Sequence, residues 1–186
     1  MVDQPAMEAS ARYRHLWTLG RDEFLAAAAP AALVRYGASL PGSGSVGMTT
    51  QTLDQDLLQE PDERVDETRL RGRVSAEPTE MEIYPLAKKP GASFRDRITI
   101  GRTSNNDVVI VDHSVSRLHG YVRLAEGWLF ADAGSKNGSW LDDQRLEPRR
   151  EAPLSSGAVL RLGDVVATFY PAADLFDLLG GDHGRR

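Results

Sequence analysis

Between residues 101 and 120 the chain reads GRTSNNDVVIVDHSVSRLHG, which gathers two arginines, two asparagines, two histidines and three serines around one apolar run. Side chains of these types can build a catalytic site, a metal site or a site for an anion, and each needs different partners elsewhere. Nucleophilic catalysis needs serine, histidine and an orienting carboxylate in a suitable context, and no GxSxG elbow is present. A metal site would draw on His15, His113, His119 and His183, which have no paired spacing, and there are no cysteines. The P-loop pattern is also missing.

An anion site uses the same residues more directly. Arg102 follows a strand at the mouth of the loop TSNND, and Ser116 and Arg117 stand in the loop before the next strand. A third loop, GSKNGS, adds Ser135, Lys136 and Asn137. Guanidinium groups bind phosphate oxygens through charge-assisted, often bidentate hydrogen bonds, and hydroxyls and amides complete such a shell. Each residue also has a plainer use. Arg102 can pair with Asp107 or Asp112 at the surface, Ser116 and Arg117 can form a capped loop, and Asn137-Gly138 can be an ordinary hairpin turn. The three loops in conjunction favour the anion.

The elements that must position these loops are strands. After Met81 the segments EIYPLA, RITIGR, DVVIV, GYVRL, WLFAD, SWLD, AVLRL and DVVATFY are β-branched or aromatic and separated by turn residues. Their close spacing predicts an all-β, antiparallel sandwich over residues 81–172. DLFDLL predicts a short helix in the C-terminal piece, 173–186. Residues 1–37 read as a helical segment, with Leu16, Trp17, Leu19, Phe24, Leu25, Leu33 and Val34 as its apolar set, Asp22 as a cap and Pro30 as a break. Residues 38–80 are rich in glycine, serine and acidic side chains, without aromatics, and predict a flexible, disordered acidic linker.

A net charge of −5 argues against a general nucleic-acid binder, and no apolar run approaches membrane-spanning length. The N-terminus lacks the pattern of a secretory signal, so a cytoplasmic protein is expected. Arginine outnumbers lysine 19 to three, as in a GC-rich, bacterial genome.

IGRTSNNDVVIVDHSVSRLHGYV followed by DAGSKNGSWLDD resembles the forkhead-associated (FHA) domain family, a β-sandwich module that binds phosphothreonine peptides. The resemblance covers residues 81–172. It implies that Arg102 and Ser116 are direct phosphate ligands with Arg117 beside them, and that Asn137 bonds the peptide backbone. It makes His119 a brace for the Ser116 loop rather than a base, and has Gly101 and Gly138 permit tight turns. Lys136 stands where the family often has threonine, and either adds charge to the site or points to solvent. The loop Asp112–Val115 would read the third residue after the phosphothreonine.

The implied protein is a signalling adapter for a phosphothreonine-containing partner, downstream of a Ser/Thr kinase. It would be no enzyme and would use no cofactor or metal. Thr68, in VDETRLRG, is a candidate phosphosite that could fold back onto the site and autoinhibit it. The rival reading is a scaffold that binds partners independently of phosphate, with the N-terminal helices as the working part.

Overall fold

Strands such as GYVRL and VVATFYP alternate between buried and accessible positions, as half-buried strands do. The computed structural model describes residues 4–37, 81–91 and 94–183, and in it these strands form two facing sheets. The first has the order β4 (Val108–Val109), β3 (Ile98–Gly101), β5 (Gly120–Leu124), β6 (Trp128–Asp132), β9 (Ala152–Pro153). The second runs β2 (Met81–Pro85), β1 (Ala31–Tyr36), β11 (Val165–Pro171), β10 (Val159–Leu162), β7 (Ser139–Leu141), β8 (Gln144–Arg145). Ile100, Val122 and Phe130 meet Leu33, Leu160, Leu162 and Phe169 between them.

Three helices, α1 (Gln4–Thr18), α2 (Arg21–Ala27) and α3 (Ala172–His183), supply a second core. Tyr13, Leu16, Phe24, Leu175 and Leu179 pack there with Ala32, Val34 and Ile83 of the second sheet. Ser10 ties α1 to the edge strand: its Oγ accepts from Ile83 N at 2.8 Å while donating to Ala6 O at 2.7 Å. Gly20, with φ 103°, holds the N-cap of α2, and Asp22 lies in the first turn instead of capping it. Among the described residues, no helix is long and apolar enough to cross a membrane.

Two further expectations need correction. Residues 31–36 are not helical: they form β1, hydrogen-bonded between β2 and β11. Ala31 and Leu33 enter the core between the sheets, whereas Ala32 and Val34 enter the core with the helices. A strand covered on both faces loses its polar alternation, so the run AALV cannot be told from a helix by pattern. The sandwich is also not wholly antiparallel, because β4 pairs with β3 in parallel, Ile100 opposite Val108. Asp107 folds the intervening loop back along β3. Its carboxylate accepts from Thr99 N at 2.8 Å, and its own N–H donates to Thr99 Oγ1 at 3.0 Å.

The placement of β1 matters for function. Its register, from Ala31 opposite Pro171 to Val34 opposite Thr168, carries it toward the start of β11. That start follows the Gly163-Asp164 turn, where Asp164 N donates to Ser114 Oγ at 2.9 Å. Tyr36 and Met81 are register partners at the same end. The expected acidic linker, 38–80, and Thr68 within it lie outside the described residues. A chain cut to begin at Met81 would lose the strand that joins β2 to β11.

Candidate functional site

The turns 102–107, 110–119 and 133–138 come together at one end of the sandwich. They wall a cleft of about 870 Å³, and Arg102, Ser116, Arg117, Lys136 and Asn137 all line it.

The first two loops are stitched by backbone and amide bonds. Arg102 N donates to Ser116 O at 3.0 Å, and Asn106 Nδ2 donates to Arg117 O at 2.6 Å and Thr103 O at 2.9 Å. Gly101 makes this approach possible for a reason different from turn geometry. It sits in β3 with no positive φ, but a Cβ there would collide with the Arg117 carbonyl. Gly138, by contrast, does need its conformation, φ 84°.

His119 joins the second loop to the third. It is fully buried, its Nδ1 accepts from Ser116 N at 3.0 Å, and its Nε2 lies 3.1 Å from the Gly138 carbonyl. An Nδ1 that accepts requires the proton on Nε2, which then donates to Gly138. Burial pushes the imidazole pKa down from its ordinary value, against smaller opposing effects of the Gly138 bond and Asp132. The ring is therefore neutral at pH 7 and sealed from the cleft.

Asp132 organises the third loop. Its carboxylate accepts from Gly134 N and Ser135 N, both at 2.7 Å, and from Ser135 Oγ at 2.6 Å and Ser139 Oγ at 2.5 Å. Burial alone would raise its pKa, yet these bonds hold it below the usual carboxylate value. Ser135 is thereby committed to the loop, since its hydroxyl also accepts from Gly138 N at 3.0 Å.

The cleft side is different. Neither carboxylate suggested as a partner for Arg102 engages it: Lys88 Nζ holds Asp107 at 2.7 Å, and Ser114 Oγ donates to Asp112 at 2.7 Å. Among the described residues, no hydrogen bond or ion pair engages the side chain of Arg102, Arg117 or Lys136. Ser116 Oγ accepts from Lys136 N at 2.9 Å, which leaves its O–H to donate into the cleft. Asn137 Nδ2 donates to Ser114 O at 2.7 Å, leaving its Oδ1 and one N–H for a ligand. Among the described residues, no carboxylate lines the cleft. Three cations and a hydroxyl donor, with no competing anion among the described residues, make a site suited to a phosphate group.

The sequence reading misses Asn106 and Asp132 and gives Asp107 and Ser114 other uses; all four are buried and shape the loops. A signal was present for two turns: Asp112 accepts from Ser114 N and Asp132 from Gly134 N, the local bonding that makes aspartate a turn former. Within Asp112–Val115, Val115 is buried and Ser114 is engaged, so His113, with its side chain 93% exposed, is the one presented to a ligand.

Comparison with known proteins fits this geometry. A family model described as the FHA domain matches residues 98–163. The chain is 31% identical over 121 residues to the oxoglutarate dehydrogenase inhibitor of Corynebacterium diphtheriae, covering 62% of this chain and 82% of that protein. It is 33% identical over 81 residues to an FHA domain-containing protein of Arabidopsis thaliana, covering 42% of this chain. Among solved structures, it is similar to Mycobacterium tuberculosis EmbR in complex with a low affinity phosphopeptide, at 27% identity and a TM-score of 0.42 over 50% of this chain. The chain spans 20% of the Arabidopsis protein and 22% of the mycobacterial one.

Proposed function

Since the chain belongs to the FHA domain family, a family of binding modules, we propose that it is a cytoplasmic, non-enzymatic signalling adapter that binds phosphothreonine segments of partner proteins downstream of a Ser/Thr kinase. The observation that carries this reading is Arg102. Its guanidinium lines the cleft without a counter-ion among the described residues, beside the Ser116 hydroxyl. A phosphate carrying a charge of about −1.5 to −2 supplies what both groups lack.

In this reading Arg102 and Ser116 take the phosphate directly, and Arg117 and Lys136 add attraction from the rim. Asn137 bonds the peptide backbone next to the phosphothreonine. His119 acts on the ligand only by fixing the two loops. The relative named as an oxoglutarate dehydrogenase inhibitor supports a protein that works by binding another protein.

Thr68 is the candidate phosphosite for control in cis. It lies 13 residues before Met81, a reach of up to ~43 Å at roughly 3.3 Å per extended residue. Met81 pairs with Tyr36 at the cleft end, and Arg35 is close enough to Asp112 to help lower its carboxyl pKa, after the larger effect of the Ser114 hydroxyl.

Calorimetric titration of the full chain with phosphothreonine, phosphoserine and unphosphorylated peptide pools tests the central reading. Binding confined to the phosphothreonine pool is expected. Equal binding of the unphosphorylated pool would replace it with the phosphate-independent scaffold. The same titration with Thr68 phosphorylated is expected to show at least about tenfold weaker binding of external peptide; unchanged affinity would remove autoinhibition from the model.

A further inference from the structure

All three lysines of a chain with 19 arginines line clefts on one stretch of surface. Lys136 lines the cleft described above. Lys88 and Lys89 line another, of about 440 Å³, together with Phe94 and Arg95. A recess of about 70 Å³ adjoins both: it shares Asn105 and Leu118 with the first and Lys88 and Phe94 with the second. The three together trace a groove from the Arg102 end, past the 102–107 loop, to Arg95.

The charges along this groove are not balanced. Lys88 is neutralised, with its Nζ 2.7 Å from Asp107 Oδ2. Lys89 Nζ donates only to carbonyls, Asn106 O at 2.6 Å and Ser104 O at 3.2 Å, so its positive charge has no counter-ion among the described residues. Arg95 is exposed and also makes no ion pair among the described residues. The neighbouring carboxylate, Asp96, is taken by Arg97 at 2.7 Å. Between the Arg102 cleft and this basic end lie two exposed apolar side chains, Leu118 and Phe94, accessible to 42% and 45%. On a chain with net charge −5, a groove whose cations at both ends are uncompensated among the described residues, with an apolar middle, is a local reversal of sign.

We propose that this groove is an accessory subsite for the flank of the bound phosphothreonine segment, taking an apolar side chain over Leu118 and Phe94 and an acidic side chain at Lys89 and Arg95. The assignment rests on the phosphothreonine reading above. A peptide anchored by its phosphate at Arg102 and leaving along the 102–107 loop meets the apolar stretch first and the two cations next. Because Lys89 also braces that loop through its two carbonyl bonds, Arg95 is the cleaner position to vary.

The test uses the full chain and fluorescence anisotropy. A short phosphothreonine peptide flanked by alanines gives the baseline. Two further series move a glutamate pair, or a lysine pair, stepwise along either side of the phosphothreonine. The glutamate pair is expected to tighten binding by about fivefold on one side only, at a distance beyond the residue that covers Leu118, with the gain fading as salt is raised. Arg95→Ala should reduce that gain while the alanine-flanked peptide binds as before, Lys89→Met should reduce the gain relative to its own alanine-flanked baseline, and Arg95→Glu should shift the preference to the lysine series. Equal binding of glutamate- and alanine-flanked peptides at every position would overturn the subsite, as would a glutamate gain that survives in the Lys89→Met, Arg95→Glu double variant. In either case, retained binding of the baseline peptide would leave the phosphothreonine reading standing. Failure of the baseline peptide to bind would overturn both.

Discussion

Replacing Arg102 by alanine is expected to weaken phosphothreonine-peptide binding by at least about 100-fold, because hydrogen bonds to charged groups contribute roughly 1.5–3 kcal/mol each and a guanidinium can make two to one phosphate. The melting temperature of the free protein is expected to change little. The Arg102 side chain is exposed, and among the described residues it holds no other side chain in place. Calorimetry with one high-affinity peptide and a thermal melt of the same preparation check both halves. Arg102→Lys should fall between the two, since lysine keeps the charge but not the planar fork. A loss of stability that matched the loss of binding would mean that Arg102 works inside the fold, and the cleft would need another anchor.

The separation of binding from stability at Arg102 follows from how the site is divided. Residues that face the cleft hold few bonds within the protein, and residues that shape the loops hold many. The first group was legible in the sequence because arginine, serine, lysine and asparagine beside strand ends are types with a direct use. The second group was not, because a buried aspartate reads in sequence like any surface acid. Asp132 shows its role only when four donors converge on it from residues 134, 135 and 139.

The fold divides similarly. Strands with one covered face, such as β5, carry a period of two and were found. β1 was read as helix because it is enclosed by the second sheet's partners on either side and by a core on each face. Its identity depends on pairing with β11, more than 130 residues later in the chain, and a local window contains no trace of that contact. The consequence is functional as well as architectural. The N-terminal residues are part of the sheet whose turn at Gly163-Asp164 supports Ser114, so removing them would take a central strand from that sheet.

His119 is the position where a change should cost stability and binding together. His119→Ala would remove the acceptor for Ser116 N and the donor to Gly138 O from a fully buried site, and leave a cavity. The expected loss is about 3 kcal/mol, a fall of roughly 10 °C in melting temperature, with weaker peptide binding because the Ser116 and Asn137 loops lose their common brace.

The pH dependence identifies the same group. Burial depresses the folded-state pKa below the ordinary 6.5, so the unfolded chain takes up a proton near that value while the folded chain does not. The stabilising contribution is therefore complete above pH 6.5 and is lost as pH falls from there toward the lowered value. Asp132 and Asp107 are depressed carboxylates, whose contributions are lost only below their ordinary value of 3.8, in a separate window. Denaturant unfolding of the free protein is the proper readout, because the phosphate itself titrates near pH 6 and would confuse a binding curve. Wild type should lose stability over the interval just below pH 6.5, and His119→Ala should show a flatter profile there. Parallel profiles would mean that the imidazole takes up a proton in the folded protein as readily as in the unfolded chain, which burial and the bond from Ser116 N to Nδ1 both oppose.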